Sequence, residues 1–218
     1  MNFIKMKGIL LIGIPLILVF SLTGCPGVGV TGTTNGNGNG GGGAFNIELE
    51  FDGSISGDVS KSITGAVTAD TGTSISVGDA GVNQIKRGFL TFDLGALPAD
   101  ASVTSATLHV HQFTTFGDPF NDLGDLGAHV IDYGTSLMDS DFYAAVGAGP
   151  YAVSSTKGDN EWRTADITAA LQTAMGQPGN TLQLMFKFPT DYNSDSNADQ
   201  VLVSGPDSGS EEPYVTVD

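Results

Sequence analysis

The chain's apolar residues recur mainly at every second position, in short runs separated by turn-forming residues. At 45–51, FNIELEF places Phe45, Ile47, Leu49 and Phe51 on one side, the period of a strand with one buried face. Short Thr/Ser/Val runs at 62–68 and 73–77 extend this pattern between glycines. In GFLTFDL (88–94), Leu90, Phe92 and Leu94 share a face, and the turn GALPAD follows. The longest strand is predicted in SVTSATLHVHQF (102–113), with Ala106, Leu108 and Val110 inward and Thr107, His109 and His111 outward. AHVIDY, LQLMFKF, QVLVS and PYVTV read as further strands, each bounded by Gly, Pro, Asn or Asp.

One segment has the other period. In DITAALQTAMG (166–176), Ile167, Ala170, Leu171 and Ala174 form an i, i+3, i+4, i+7 stripe suited to packing on a sheet. Asp166 stands where it can cap the N-terminus and Gly176 where it can close the C-terminus. A weaker helical turn falls in DSDFYAAV (139–146). Many short strands around one short helix predict an all-β fold, an antiparallel jelly-roll-like β-sandwich spanning residues 45–218.

Residues 1–24 depart from both patterns. Lys5 and Lys7 precede an apolar stretch from Gly8 to Leu22, the layout of an export signal peptide. The ending Leu22-Thr23-Gly24-Cys25 resembles the lipobox of bacterial lipoproteins. That resemblance implies that the Cys25 thiol takes a diacylglyceryl group, that Cys25 heads the mature chain, and that acyl chains such as palmitate anchor it to a membrane. Each buried CH₂ contributes about 0.8 kcal/mol, so two or three chains hold firmly. The implied location is the cell envelope. Pro26 in place of an aspartate favours the outer membrane over the inner one in a Gram-negative host. From 26 to 43 the chain is half glycine and has no side chain bulkier than valine. Such a segment cannot bury enough apolar area to order itself, so residues 25–44 read as a flexible tether reaching roughly 20–25 Å.

Charge narrows the partners. The formal net charge is −16. Loss of the two signal-peptide lysines leaves six cations against 24 acids, or −18. Nucleic acid and anionic lipid headgroups are repelled by such a chain. A lone cysteine excludes a disulfide framework, so the fold stands on its core alone. The only thiol is committed to lipid, no G-x-S-x-G elbow occurs, and nothing marks a catalytic carboxylate pair. The expectation is a protein that is not an enzyme.

From Arg87 to Val110 the text RGFLTFDLGALPADASVTSATLHV resembles the DNRLRE-type domain, a jelly-roll-like module of bacterial surface and secreted proteins. Trp162, Asp166, Ile167 and Thr168 match that family's W…D-V-T segment, and Pro213, Val215 and Val217 match its closing strand. The resemblance implies a sandwich with Trp162 packed inside. It also implies kinship with modules found beside polysaccharide-degrading enzymes, some similar to carbohydrate-binding modules. No catalytic residue belongs to the family pattern.

Three groups of residues are candidates for chemistry. Asp191, Asn193, Asp195, Asn197 and Asp199 set a side-chain oxygen at every second position, as a loop wrapping Ca²⁺ requires, with Asp207 or Glu211 available to complete the shell. The EF-hand pattern is incomplete, since Ser196 replaces the turn glycine and Leu202 the bidentate glutamate, and a plain solvated loop is the alternative. A second acidic loop carries Asp118, Asn121, Asp122 and Asp125. His109 and His111 with His129 could hold zinc, although no carboxylate is placed to orient either ring of the pair. For sugar binding, Phe116, Phe120, Tyr143, Tyr151 and Tyr192 lie in or near loops, where each could equally be a peg beneath its loop. The functional expectation is a lipid-anchored module that binds carbohydrate or extracellular matrix. The alternative is a structural or protein-interaction domain of the envelope, stabilised by calcium.

Overall fold

Antiparallel pairing organises the chain from Asn46 onward. The computed structural model describes residues 46–81, 84–98, 100–206 and 208–218. The expected signal peptide, the expected lipidation site Cys25, the expected glycine tether, Phe45 and Asp207 lie outside the described residues. Twelve strands are seen among those described: β1 (Ile47–Glu50), β2 (Gly57–Ser62), β3 (Val67–Asp70), β4 (Ser74–Ala80), β5 (Gln84–Asp93), β6 (Ala106–Phe116), β7 (Leu126–Val130), β8 (Tyr151–Ser154), β9 (Glu161–Asp166), β10 (Thr181–Lys187), β11 (Ala198–Ser204) and β12 (Tyr214–Val217). They pair in the order β1-β12-β6-β11-β4-β5-β10-β7-β8, with β9 added on β6, β2 on β5 and β3 on β2. The fold is all-β and sandwich-like. Inward residues of β1, β6, β9 and β12 share one core with those of β5, β7, β8 and β10.

Alternation explains most of this core. On β6, Ala106, Leu108 and Val110 are fully buried, and on β12 so are Val215 and Val217. β5 and β10 differ because both of their faces are covered. Leu182, Leu184 and Phe186 of β10 enter the main core, while Met185 on the other face joins Val59, Ile85 and Phe89 beneath Ile131, Tyr133 and Phe142. The chain from 131 to 144, ending in a 3-10 turn at Asp139–Tyr143, thus caps the outside of one wall. The helical turn expected at 139–146 is this 3-10 turn.

Among the described residues two helices occur where one was expected: α1 (Pro119–Asp122), a single turn inside the second acidic loop, and α2 (Thr168–Met175). In α2 the predicted stripe holds, since Ile167, Ala170, Leu171 and Ala174 are all buried. Asp166 accepts bonds from the Thr168 backbone N–H (3.0 Å) and hydroxyl (2.6 Å), one residue earlier than a true N-cap, which is Ile167. These two bonds hold the Asp166 carboxyl below the usual carboxylate range.

Three expectations need correction. The 62–68 run is not one strand: Ser62 ends β2, Val67 and Thr68 open β3, and the residues between form a hairpin turn closed by the Ser62 N–H donating to Ala66 O (2.7 Å) and locked by the Ser62 hydroxyl accepting from Thr64 N–H (3.1 Å). Local side-chain bonding outweighs the strand propensity of Ile63 and Thr64 there. β8 and β9 were not foreseen. Both are edge strands, and in β9 only Ala165 is buried, so no apolar alternation announces it. His111 points outward as expected but is not a surface residue: it is 4% exposed because Trp162, Ser204 and Glu211 close around it.

Candidate functional site

The 191–199 loop does not present its oxygens as one ring. Asp191 is drawn away by Arg87, whose Nη2 donates to both carboxylate oxygens at 3.1 Å. The next residues tie to each other. Asn193 Oδ1 accepts from the Asp195 N–H (3.1 Å), and Asp195 accepts from the Asn197 N–H (2.8 Å) and Nδ2 (3.0 Å). Those bonds pull the Asp195 carboxyl down. Asp199 is buried, bonded by Asn193 Nδ2 (3.0 Å) and the Asp118 N–H (2.6 Å). Asp122, at the end of α1, comes from the other acidic loop, and oxygens of Asp122, Asp195 and Asp199 lie within 4.8 Å of one another. Asp79 registers opposite Asp199 in the β4–β11 ladder; burial raises its carboxyl, with the Gly81 and Asn193 N–H groups opposing and the charges of Asp199 and Asp195 adding. No ion pair neutralises these four acids among the described residues. An all-carboxylate set of this kind suits a hard divalent cation. Glu211 sits at the other end of β11, 3.4 Å from His111 Nδ1.

The loop aromatics are scattered. Phe116, Tyr143 and Tyr192 are exposed, while Phe120 and Tyr151 pack against the main core. Phe120 meets Phe188 edge-on at 5.8 Å, and Tyr143 sits beside Phe142 with Lys61 Nζ 5.0 Å from its ring. None of the five stacks on another among the described residues. The histidines do not converge either. His109 Nε2 meets Thr216 Oγ1 (3.1 Å), His111 Nδ1 meets Ser204 Oγ (3.0 Å), and His129 lies on β7 across the sandwich. Burial lowers both His109 and His129.

A different group of residues does come together, at the seam where the edges of β8 and β9 meet. An open groove of about 400 Å³ runs there, lined by Trp162, Arg163 and Thr164 on one side, by residues 152–156 on the other, and by Asp125. Trp162, which the family resemblance places inside, is 41% exposed. β9 pairs only with β6 in the ladder, and Trp162 registers opposite His111 on the outward side of that pair. Behind the groove is Gln112, fully buried on β6. Its Oε1 accepts from Ser154 Oγ (2.8 Å) and Arg163 Nε (3.0 Å), and its Nε2 donates to Gly158 O (2.8 Å) and Thr115 Oγ1 (3.0 Å). One buried amide thereby fixes β6, β8, β9 and the 155–158 loop in a single network. Such a network rigidifies when every member is satisfied, as this one is. Arg163 also donates to Thr156 O (3.2 Å) and pairs with Glu161 (2.8 Å), so its guanidinium is held at the groove wall.

Sequence reasoning missed Trp162 and Gln112. The available signal was local: a tryptophan among Glu161, Arg163 and Thr164 has no apolar neighbours with which to enter a core. For Gln112 the signal was the parity of β6, which sets it on the side of Ala106, Leu108 and Val110, but a polar side chain gave no reason to extend the inward face to it. A comparison with protein-family models finds no match, and one with curated proteins finds none either.

Proposed function

We propose that this protein is a lipid-anchored, non-catalytic glycan-binding module of the bacterial cell envelope, with its primary site in the groove between β8 and β9. The observation that carries the reading is the half-exposed Trp162 on the rim of a groove whose polar groups are set in advance by Gln112. An exposed indole offers an apolar face against which the C–H side of a sugar ring packs, and its N–H serves a hydroxyl. Arg163, Thr164, Ser154 and Asp125 supply donors and acceptors around it, the few placed polar groups that orient a ligand in a concave site. Because the network is assembled before binding, little ordering cost offsets the contacts. The overall acidity favours an uncharged glycan. In this reading Cys25 and the glycine tether hold the sandwich on the envelope, and Ca²⁺ joins Asp122, Asp195 and Asp199 to neutralise the acid cluster.

The test is a glycan array probed with the full chain in detergent, with and without calcium. Binding to uncharged glycans is expected, and Trp162→Ala should abolish it while the domain still unfolds cooperatively, with a modest drop in melting temperature from the lost contacts with His111 and Tyr214. Silence across neutral and acidic glycans in both conditions would end the glycan reading in favour of a scaffold role.

A further inference from the structure

The two walls of the sandwich are finished differently on the outside. Over β2, β5 and β10, the chain from 131 to 144 supplies Ile131, Tyr133 and Phe142 and seals the surface. The outward face of β9, β6 and β12 receives no such cover among the described residues, and its residues are exposed or half-buried except for His111. Those residues are not an ordinary charged surface. On β6, His109, His111 and Phe113 follow one another at every second place. Tyr214 of β12 registers opposite His109, and Trp162 of β9 opposite His111. The rings touch in sequence: His109 stacks on Tyr214 at 4.3 Å, Tyr214 meets Trp162 edge-on at 5.4 Å, and Trp162 meets His111 at 5.3 Å. Phe113, 47% exposed, continues the line. The hydroxyls of Thr107, Thr164 and Thr216 stand on the same face by strand parity.

We infer that this face is a second part of the glycan site, continuous with the groove through Trp162, and that the ligand is a linear, uncharged polysaccharide lying across it. This rests on the proposed glycan reading and extends it from a single groove to a chain. Length is the first argument. From the level of Tyr214 to that of Phe113 is four strand residues, about 13–14 Å at the usual rise, more than one or two sugar rings cover. Chemistry is the second. Rings flanked by hydroxyls match a ligand whose faces are C–H and whose edges are O–H, whereas a protein partner calls for a dry apolar centre. Charge is the third. Glu48, Glu50 and Asp166 lie on this face by parity, with Glu161 and Glu211 at its rim, so an acidic polysaccharide meets a wall of like charge.

The experiment is calorimetric titration of the full-length protein in detergent with ladders from disaccharide to hexasaccharide. The ladders are β-linked glucose, xylose and mannose, with a uronate ladder beside them. Affinity for an uncharged ladder should rise by about tenfold or more between disaccharide and hexasaccharide, a gain of the size one added aromatic contact supplies. Phe113→Ala, at an exposed position, should remove that gain and leave disaccharide binding unchanged, and Tyr214→Ser should act in the same direction. Affinity already complete at the disaccharide, or a hexasaccharide gain that survives Phe113→Ala, overturns the extended face while leaving the groove intact. Preference for the uronate ladder overturns the assignment to uncharged chains. Silence on every ladder overturns both this inference and the reading beneath it.

Discussion

Gln112 shows how much of a groove can depend on one side chain that does not line it. Its amide joins three strands and a loop through four side-chain hydrogen bonds. Replacing it with leucine keeps the volume and deletes every bond. The orphaned Arg163 Nε then costs about 1–3 kcal/mol where it stays buried, while Ser154 Oγ keeps only its bond to Thr156 O (3.3 Å). Gln112→Leu is therefore expected to lower stability in chemical denaturation and to weaken glycan binding together, whereas Trp162→Ala abolishes binding at a smaller loss of stability. A binding loss without a stability loss in Gln112→Leu would mean that the network is not what holds the groove. The inward side of position 112 was legible from the alternation of Ala106, Leu108 and Val110, but the partners of its amide were not. A glutamine at 112 reads as a surface residue until the strand parity of β6 places it beside Ala106, Leu108 and Val110.

At the scale of elements, strongly alternating strands and the α2 stripe were legible because a single periodicity dictates which face is buried. β10 illustrates the limit. Its run LQLMFKF announces a strand, but that Met185 is buried as deeply as Leu184 follows only from the 131–144 chain that covers it. The same covering chain is fastened by Arg87, whose Nη1 donates to Phe142 O (2.6 Å), whose Nη2 grips Asp191, and whose guanidinium lies 4.3 Å from the Phe142 ring. This explains why Asp191, first in the oxygen ladder, serves as a clasp. Phe142→Ala removes a fully packed ring and should destabilise by about 3–5 kcal/mol. Hydrogen exchange should then quicken across 131–144 before it does in β6 or β12. Uniform exchange over the whole domain would show that the cap and the core are one cooperative unit.

For the whole molecule, charge dominates. Burial raises the carboxyls of Asp79 and of Asp58; at Asp58, Lys86 (3.2 Å) opposes the shift. A carboxyl raised on folding binds its proton more tightly in the folded state. Its contribution is therefore fully present below the ordinary carboxylate pKa and is lost as pH rises through the raised value. In chelator at neutral pH, Asp79→Asn should raise the melting temperature by a few degrees, about 1 kcal/mol for a chain of this size, and the gain should vanish in acid. Calcium should raise the melting temperature of the parent, and Asp195→Ala should erase that rise. A midpoint that ignores calcium and chelator alike would leave the acid cluster without an ion. At the other end of the chain, Cys25→Ser is expected to shift the protein from the membrane fraction to the soluble one and to stop incorporation of labelled palmitate. Retention in the membrane fraction would refute the lipid anchor. What the sequence by itself determined is local: the class of fold, the main inward faces of its strong strands, the helix stripe, the acidity and the lipobox resemblance all rest on neighbouring residues. What only the tertiary structure decided is which distant residues meet. Asp122 joins Asp195 and Asp199 across α1 and β11, and Trp162 joins Tyr214 and His111 across β9, β12 and β6. Such meetings depend on strand order and register, which no local period encodes.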